Sequence, residues 1–318
     1  MLATATLVAA AASAAPSHRP VRTIEIRYRA HDGVARRAYV LLPASYTRAH
    51  DPAIPLVISP HGRGVSGRAN ARLWGTLPAR GDFAVISPAG EGRKLSRYSW
   101  GSAGQIDDLA RMPVILHLAL PWVHVDRSRI FAIGGSMGGQ ETLLLLARHP
   151  RLLAGAAAFD AVTRFALQYR RFPRMPCDRG CRKTWHGSIG VALQSLARQE
   201  IGGSPKTRPL AYLERSPFTY ARTIAASCVP LQLWWSTKDR IVADQRQQSD
   251  ALYRRLRKLN ARAPVSAFVG TWRHSAEMRD RLPAALASFG LLPELNPLWL
   301  RQLHTFTGPD AADCRAGT

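Results

Sequence analysis

The stretch "IFAIGGSMGGQETLLLLARHP", residues 130–150, passes from a short apolar run through four glycines to a run of leucines, with one serine at the turning point. The first part has the length and content of a buried strand, the last part those of a helix. Gly134, Gly135, Gly138 and Gly139 surround Ser136. Glycine lets strand and helix approach without a Cβ clash and tolerates strained dihedrals, so the turn is expected to push the Ser136 hydroxyl out at the top of a sheet. At a helix start that hydroxyl also lies beside free N–H groups whose partial positive charge suits a developing oxyanion. The pattern Gly-x-Ser-x-Gly, met by Gly134, Ser136 and Gly138, is short enough to arise by chance; its weight comes from the strand before it and the helix after it.

Outward from this turn, strands and helices alternate. "TIEIRYRA" and "VARRAYVLLP" read as a hairpin joined by "HDG" (31–33). "IPLVISP" (54–60) suits a buried strand and is followed by the glycine loop "HGRGVSG" and a helix over "ARLWGTLPAR" (71–80). "FAVISPAG" (83–90) repeats the strand pattern, and "DDLARMPVILHLALPW" (107–122) reads as a helix whose two leading carboxylates suit an N-terminus, with Pro113 as a kink. "LLAGAAAFDAV" is again a strand. From about 163 to 228 the text turns rich in Arg, Pro and Gly with one modest helix, "VALQSLARQE", which predicts an inserted cap. Alternation resumes with "PLQLWWSTKD", "QQSDALYRRLRKLN", "PVSAFVG" and "SAEMRDRLPAALASFG". The expected fold is α/β: a mostly parallel central sheet flanked by helices on both faces, spanning 20–293, with a surface tail over 294–318.

A serine hydroxyl becomes nucleophilic only when a base takes its proton and an acid holds that base in one tautomer. His274, in "TWRHSAEM", lies between the last strand and the last helix, where a loop would swing its imidazole over Ser136. Asp239, in "LWWSTKDRIV", follows the preceding strand; Asp160 and Asp244 compete for its role. His61 lies too close to the glycine loop to be the first choice of base. "PHGRG" is expected to supply a second oxyanion donor, the N–H of Arg63 with Gly62 as alternative, beside that of Met137. Trp100, Trp185 and Trp272 are candidates for an acyl or aromatic pocket, while at least one of Trp234 and Trp235 belongs to the core.

The rest of the composition bounds the setting. "MLATATLVAAAASAA" (1–15) is apolar and uncharged and ends on the small residues Ala12, Ser13 and Ala14, as a signal peptide does, although it lacks a basic leader and reads also as an Ala-rich helix. Export predicts a secreted or periplasmic protein. No later run is long and apolar enough to span a membrane. Four cysteines fit an oxidising compartment: Cys177 with Cys181 in "CDRGC", and Cys228 with Cys314, is the expected connectivity among the three that four cysteines allow. The rival reading of the first pair is a metal site, but His186 is the one histidine nearby, and no metal is expected. The formal charge is +23, and five of the 44 basic residues are Lys, the rest Arg. These are scattered, without the basic, aromatic-interleaved block of a nucleic-acid arm, so no specific nucleic-acid partner is expected.

"DRSRIFAIGGSMGGQETLLLLARHP", "SPFTYARTI", "STKDRIVADQRQQSDALYRRLRK" and "RHS" together resemble the hydrolase domain of prolyl-oligopeptidase-like α/β-hydrolases of the S9 type, over roughly 35–290 and without a β-propeller. The elbow and the "PHGRG" loop are also similar to those of secreted feruloyl, acetylxylan and polyester esterases. The resemblance implies an α/β-hydrolase fold, a triad of Ser136, Asp239 and His274, and acyl transfer without a cofactor. It points to a small or polymer-linked ester as substrate, with a peptidase as the alternative. A third reading is a catalytically silent fold that binds an anionic polymer through its basic surface. The "CDRGC" segment and the Trp234–Trp235 strand are not assigned by the resemblance.

Overall fold

A computed structural model describes residues 21–185, 187–274, 278–293 and 303–316; the side chains of 181, 184, 185, 278 and 279 also lie outside the description. The proposed signal segment 1–15 and His186 therefore fall outside the described residues, as do the side chains of Cys181 and Trp185.

β1 (Val21–Arg29), part of which alternates in burial, and β2 (Ala35–Pro43), buried throughout from Ala38, pair antiparallel around a turn in which Gly33 takes φ 78°. The wholly buried runs β3 (Ile54–Ile58), β4 (Ala84–Pro88), β6 (Gly155–Phe159) and β7 (Leu231–Ser236) join β5 (Val125–Gly135) and β8 (Val265–Gly270). The sheet order is β1-β2-β4-β3-β5-β6-β7-β8-β9, parallel from β4 to β8. Continuous apolar strands are what a parallel sheet needs, because neither surface meets water. Leu56, Ile58 and Ala132 pack with Leu109, Leu144 and Leu252, whereas Val57, Ile133 and Trp234 pack with Ala71, Leu77 and Leu286. The same alternation separates the two tryptophans of β7. Trp234 stacks on Phe268 at 3.9 Å in the second cluster and Trp235 belongs to the first, so both are core. The chain leaves β3 toward β4 on one side and returns to β5 on the other, which opens a crevice at the carboxyl ends of β3 and β5.

The helices differ from expectation in three places. The run over 71–80 is two short helices, α1 (Gly67–Arg72) and α2 (Leu77–Gly81), separated by Gly75 at φ 50°. The run over 107–122 is also split, into α3 (Ala103–Ala110) and α4 (Met112–Ala119), because Pro113 has no N–H and occupies a first-turn position of a new helix. Asp107 and Asp108 thus lie inside α3 rather than at a helix start. Asp108 is buried and takes the His31 Nδ1 at 2.8 Å and the Arg36 guanidinium at 3.4 Å, and Arg36 also pairs with Asp32 and Glu91. After α5 (Met137–Arg148), the segment expected to hold one helix holds five: α6 (Phe165–Arg171), α7 (Arg179–Trp185), α8 (Ile189–Ile201), α9 (Pro209–Glu214) and α10 (Ala221–Ala226). Four of these have seven residues or fewer, too short for apolar periodicity to declare them. Phe165, Phe172, Met175 and Tyr212 from this segment form a third cluster with Trp100, Met137, Val162 and Val242, over the strand ends.

Beyond α11 (Ser249–Leu259) and α12 (Met278–Ser288), the tail is more than a surface segment. His304–Phe306 adds as β9, antiparallel to β8, and α13 (Ala311–Arg315) follows. A disulfide between Cys228 and Cys314, 86 residues apart, fastens α13 beside the end of α10. Cys177 is disulfide-bonded too, but its expected partner's side chain is outside the description. A loop of that length restricts the unfolded chain by on the order of 4 kcal/mol. Cys314→Ser is therefore expected to lower stability by about that amount in a chemical denaturation series, whereas an unchanged midpoint would deny the bond its role. Among the described residues no helix is long and apolar enough to cross a membrane.

Candidate active site

β5 ends at Gly135 and α5 begins at Met137, which leaves Ser136 alone to turn the chain, with φ 58° and ψ −121°. Such dihedrals are costly for a residue with a Cβ and persist only where the surroundings enforce them. Here they do: Ser136 N–H donates to the Phe159 carbonyl at 2.8 Å, and the Ser136 carbonyl accepts from Gln140 N at 3.0 Å. The flanking glycines are steric necessities. A Cβ on Gly134 would meet the Gly138 carbonyl at 2.5 Å, and one on Gly138 would collide with the Pro60 carbonyl.

The loop after β3 runs alongside. An ideal Cβ on Gly62 would lie 3.9 Å from the Ser136 Cβ, so the Gly62–Arg63 backbone borders the serine. Within this loop Val65 N–H returns to the Gly62 carbonyl and Gly64 N–H donates to Gly92. The Arg63 side chain is held by Glu200, pairing Nη1 with Oε1 at 2.8 Å, and lies over the Trp100 ring at 5.1 Å. Glu200, on α8 and 137 positions distant, also accepts from Ser96 N at 3.0 Å and Trp100 Nε1 at 2.6 Å. Nothing local in the sequence marks this glutamate.

His274 Nδ1 faces Asp239 Oδ2 at 2.9 Å. A carboxylate only accepts, so Nδ1 carries a proton, and in the neutral ring Nε2 is then the nitrogen with the lone pair. Asp239 is fixed in turn: Oδ1 accepts from Ile241 N at 2.8 Å and Val242 N at 3.1 Å, and Oδ2 from Gln245 Nε2 at 3.1 Å. Ser136, Gly62, Arg63 and His274 line one cavity of about 510 Å³, walled largely by apolar side chains including Trp100, Phe172 and Leu193.

The competing residues are otherwise engaged. Asp244 pairs with Arg171 at 3.0 Å. His61 is buried, its ring nitrogens facing the Gly62 and Gly90 carbonyls, and burial pulls its pKa below the usual histidine value. Trp272 does not line the cavity with Ser136; it is buried and donates Nε1–H to Asp160 Oδ2 at 2.8 Å. The loop position suggested a pocket, but the indole N–H needs a buried acceptor and Asp160 is one. Asp160 also takes Ser236 N at 2.8 Å, and its carboxylate, that of Asp239 and the His274 ring place one ligand atom each within 4.8 Å of one another. These atoms are committed to the hydrogen bonds already given, and those bonds account for the cluster.

Burial, with the charge of Asp239 added, raises the Asp160 carboxyl to about 6. Its folded value lies above the ~3.9 of an unfolded aspartate. Its contribution to stability is therefore present in full below about pH 4 and is lost as pH rises through about 6, on the order of 3 kcal/mol. Asp160→Asn does not titrate, so thermal melts should show the parent losing ground to the variant between pH 4 and 7. A difference in Tm independent of pH would contradict this.

No protein-family profile matches the sequence, and no curated protein is similar to it. Solved structures are similar in fold. An acylaminoacyl peptidase from Pyrococcus horikoshii superposes with a TM-score of 0.62 at 15% identity over 93% of this chain and 44% of its own. An S-formylglutathione hydrolase from Staphylococcus aureus gives 0.59 at 17% over 85% and 99%. A hyperthermophilic esterase from the archaeon Pyrobaculum calidifontis gives 0.61 at 15% over 85% and 84%. The chain spans less than half the length of the peptidase. The likeness establishes the fold: the protein folds as an α/β-hydrolase.

Proposed function

We propose that the protein is a secreted serine hydrolase that cleaves carboxylic esters. The observation that carries this reading is the pairing of His274 with buried Asp239, at the wall of the cavity that also holds strained Ser136. The Ser136 hydroxyl attacks the ester carbonyl while His274 Nε2 accepts its proton. The oxyanion that forms is held by the N–H of Met137, at the start of α5, and the N–H of Arg63, with Gly62 as alternative. His274 then returns the proton to the departing alkoxide, and a water activated by the same nitrogen hydrolyses the acyl-enzyme. Asp239 keeps the imidazole in the tautomer both steps need. The α6–α9 segment acts as a cap, and its apolar residues Phe172 and Leu193, with Trp100, receive the acyl group. The resemblance of the sequence to secreted esterases supports the ester over the amide, while the likeness of fold, which extends to peptidases as well as to an esterase and a formylglutathione hydrolase, supports a hydrolase of either kind. The disulfide supports an oxidising compartment.

The test compares a p-nitrophenyl alkanoate with an aminoacyl anilide on the purified protein, alongside labelling by a fluorophosphonate. Ester turnover well above anilide turnover, with stoichiometric labelling, is expected. Anilide turnover in excess would make the protein a peptidase, and absence of both turnover and label would overturn the enzyme reading and send the silent, polymer-binding alternative to binding assays across a salt series.

A further inference from the structure

Two cavities meet at His274. Besides the one holding Ser136, a second of about 850 Å³ shares Ile241 and His274 with it but does not include the serine. The two walls differ in chemistry. Lys238, Arg240 and Arg273 line the second, with Thr237 and Pro176, and among the described residues Asp178 is the one carboxylate there other than Asp239, which His274 occupies. Lys238 and Arg240 are exposed, and neither side chain has a partner among the described residues.

Resting on the hydrolase reading above, the positions of these cavities assign the two halves of a substrate. The carbonyl carbon must sit between Ser136 and the oxyanion loop, so the acyl chain lies in the first, apolar cavity. The leaving oxygen must accept its proton from His274 Nε2, so the alcohol departs past the imidazole, a ring that is also part of the wall of the second cavity. We infer that the preferred substrate is an ester of an apolar acid with an alcohol bearing an anionic group, a carboxylate or a phosphate, which Lys238 and Arg240 receive. The chemistry balances as simple hydrolysis: the acyl–oxygen bond breaks, water supplies hydroxyl to the acid and a proton to the alcohol, and the anionic group is untouched.

Three esters of matched size test this: the hexanoate of 3-(hydroxymethyl)benzamide, which is neutral; the hexanoate of 3-(hydroxymethyl)benzoate, anionic on the alcohol side; and monobenzyl hexanedioate, anionic on the acyl side. Two cations facing one anion at solvent-exposed separations give about a tenfold preference in kcat/KM for the second over the first at low salt. That preference should shrink toward parity at 0.5 M salt. The third ester should gain no such advantage, which separates this local site from the pull of the whole +23 charge and from Arg93 at the rim of the acyl cavity. The double variant Lys238→Gln with Arg240→Gln should bring the ratio of second to first to near one, and Lys238→Arg with Arg240→Lys should keep it. A ratio near one in the parent, a preference that survives the double variant, or a stronger preference for the acyl-side anion would overturn the proposal. Turnover of none of the three, the neutral ester included, would instead remove the hydrolase reading beneath it.

Discussion

Ser136→Ala is expected to hydrolyse a p-nitrophenyl ester about 10⁶-fold more slowly than the parent and to take no fluorophosphonate label. Among the described residues Ser136 carries the one hydroxyl that lines this cavity, and backbone bonds to Phe159 and Gln140 hold its strained turn. Alanine removes the Oγ and keeps the Cβ, so the glycine contacts around it persist and the variant should melt as the parent does. The measurement is initial rate with active-site titration, and a Ser136→Ala protein that labels as the parent does would place the nucleophile elsewhere.

The second large effect is that of Asp239→Asn, about 10⁴-fold in kcat. Oδ1 of Asp239 takes two peptide N–H groups, from Ile241 and Val242, so the oxygen of an asparagine is kept there. The amide nitrogen then occupies the other site, facing His274 and Gln245. Gln245 adapts by turning its amide, since its Oε1 has no other partner. His274 adapts only by accepting at Nδ1, which moves its proton to Nε2 and leaves the nitrogen proposed as the base for Ser136 a donor, unable to take a proton. Asp160 does not take over, because its two oxygens already hold Trp272 and Ser236. The variant should therefore fold with a nearly unchanged Tm while losing turnover; activity within tenfold of the parent would show that Asp239 is not the orienting acid.

The residues of this site differed in how far the sequence exposed them. Ser136 was legible because glycine on both sides, a strand before and a helix after are all local signals. The pairing of His274 with Asp239 was legible by position, each residue following an apolar run that forms a neighbouring strand of the sheet. Trp272 sat in an equally suggestive loop, and folding alone brings it to the buried carboxylate, Asp160, that claims its N–H. Glu200 was illegible, because its meaning lies in contacts with Arg63 and Ser96 more than a hundred positions away. The α6–α9 segment hid its helices in short turns interrupted by Pro and Arg, and β9 is three residues long. The carboxylates of α3 misled for a related reason: charge near a helix start suggests a dipole role, whereas Asp108 is a buried counter-ion for Arg36 and His31.

Glu200 ties α8 to Arg63, Ser96 and Trp100. If, as proposed, this segment is a cap and the Arg63 amide an oxyanion donor, lifting α8 would strand a guanidinium without its counter-charge and slacken the backbone bordering Ser136. Admitting a bulky guest would then cost the protein part of the arrangement that hydrolysis needs.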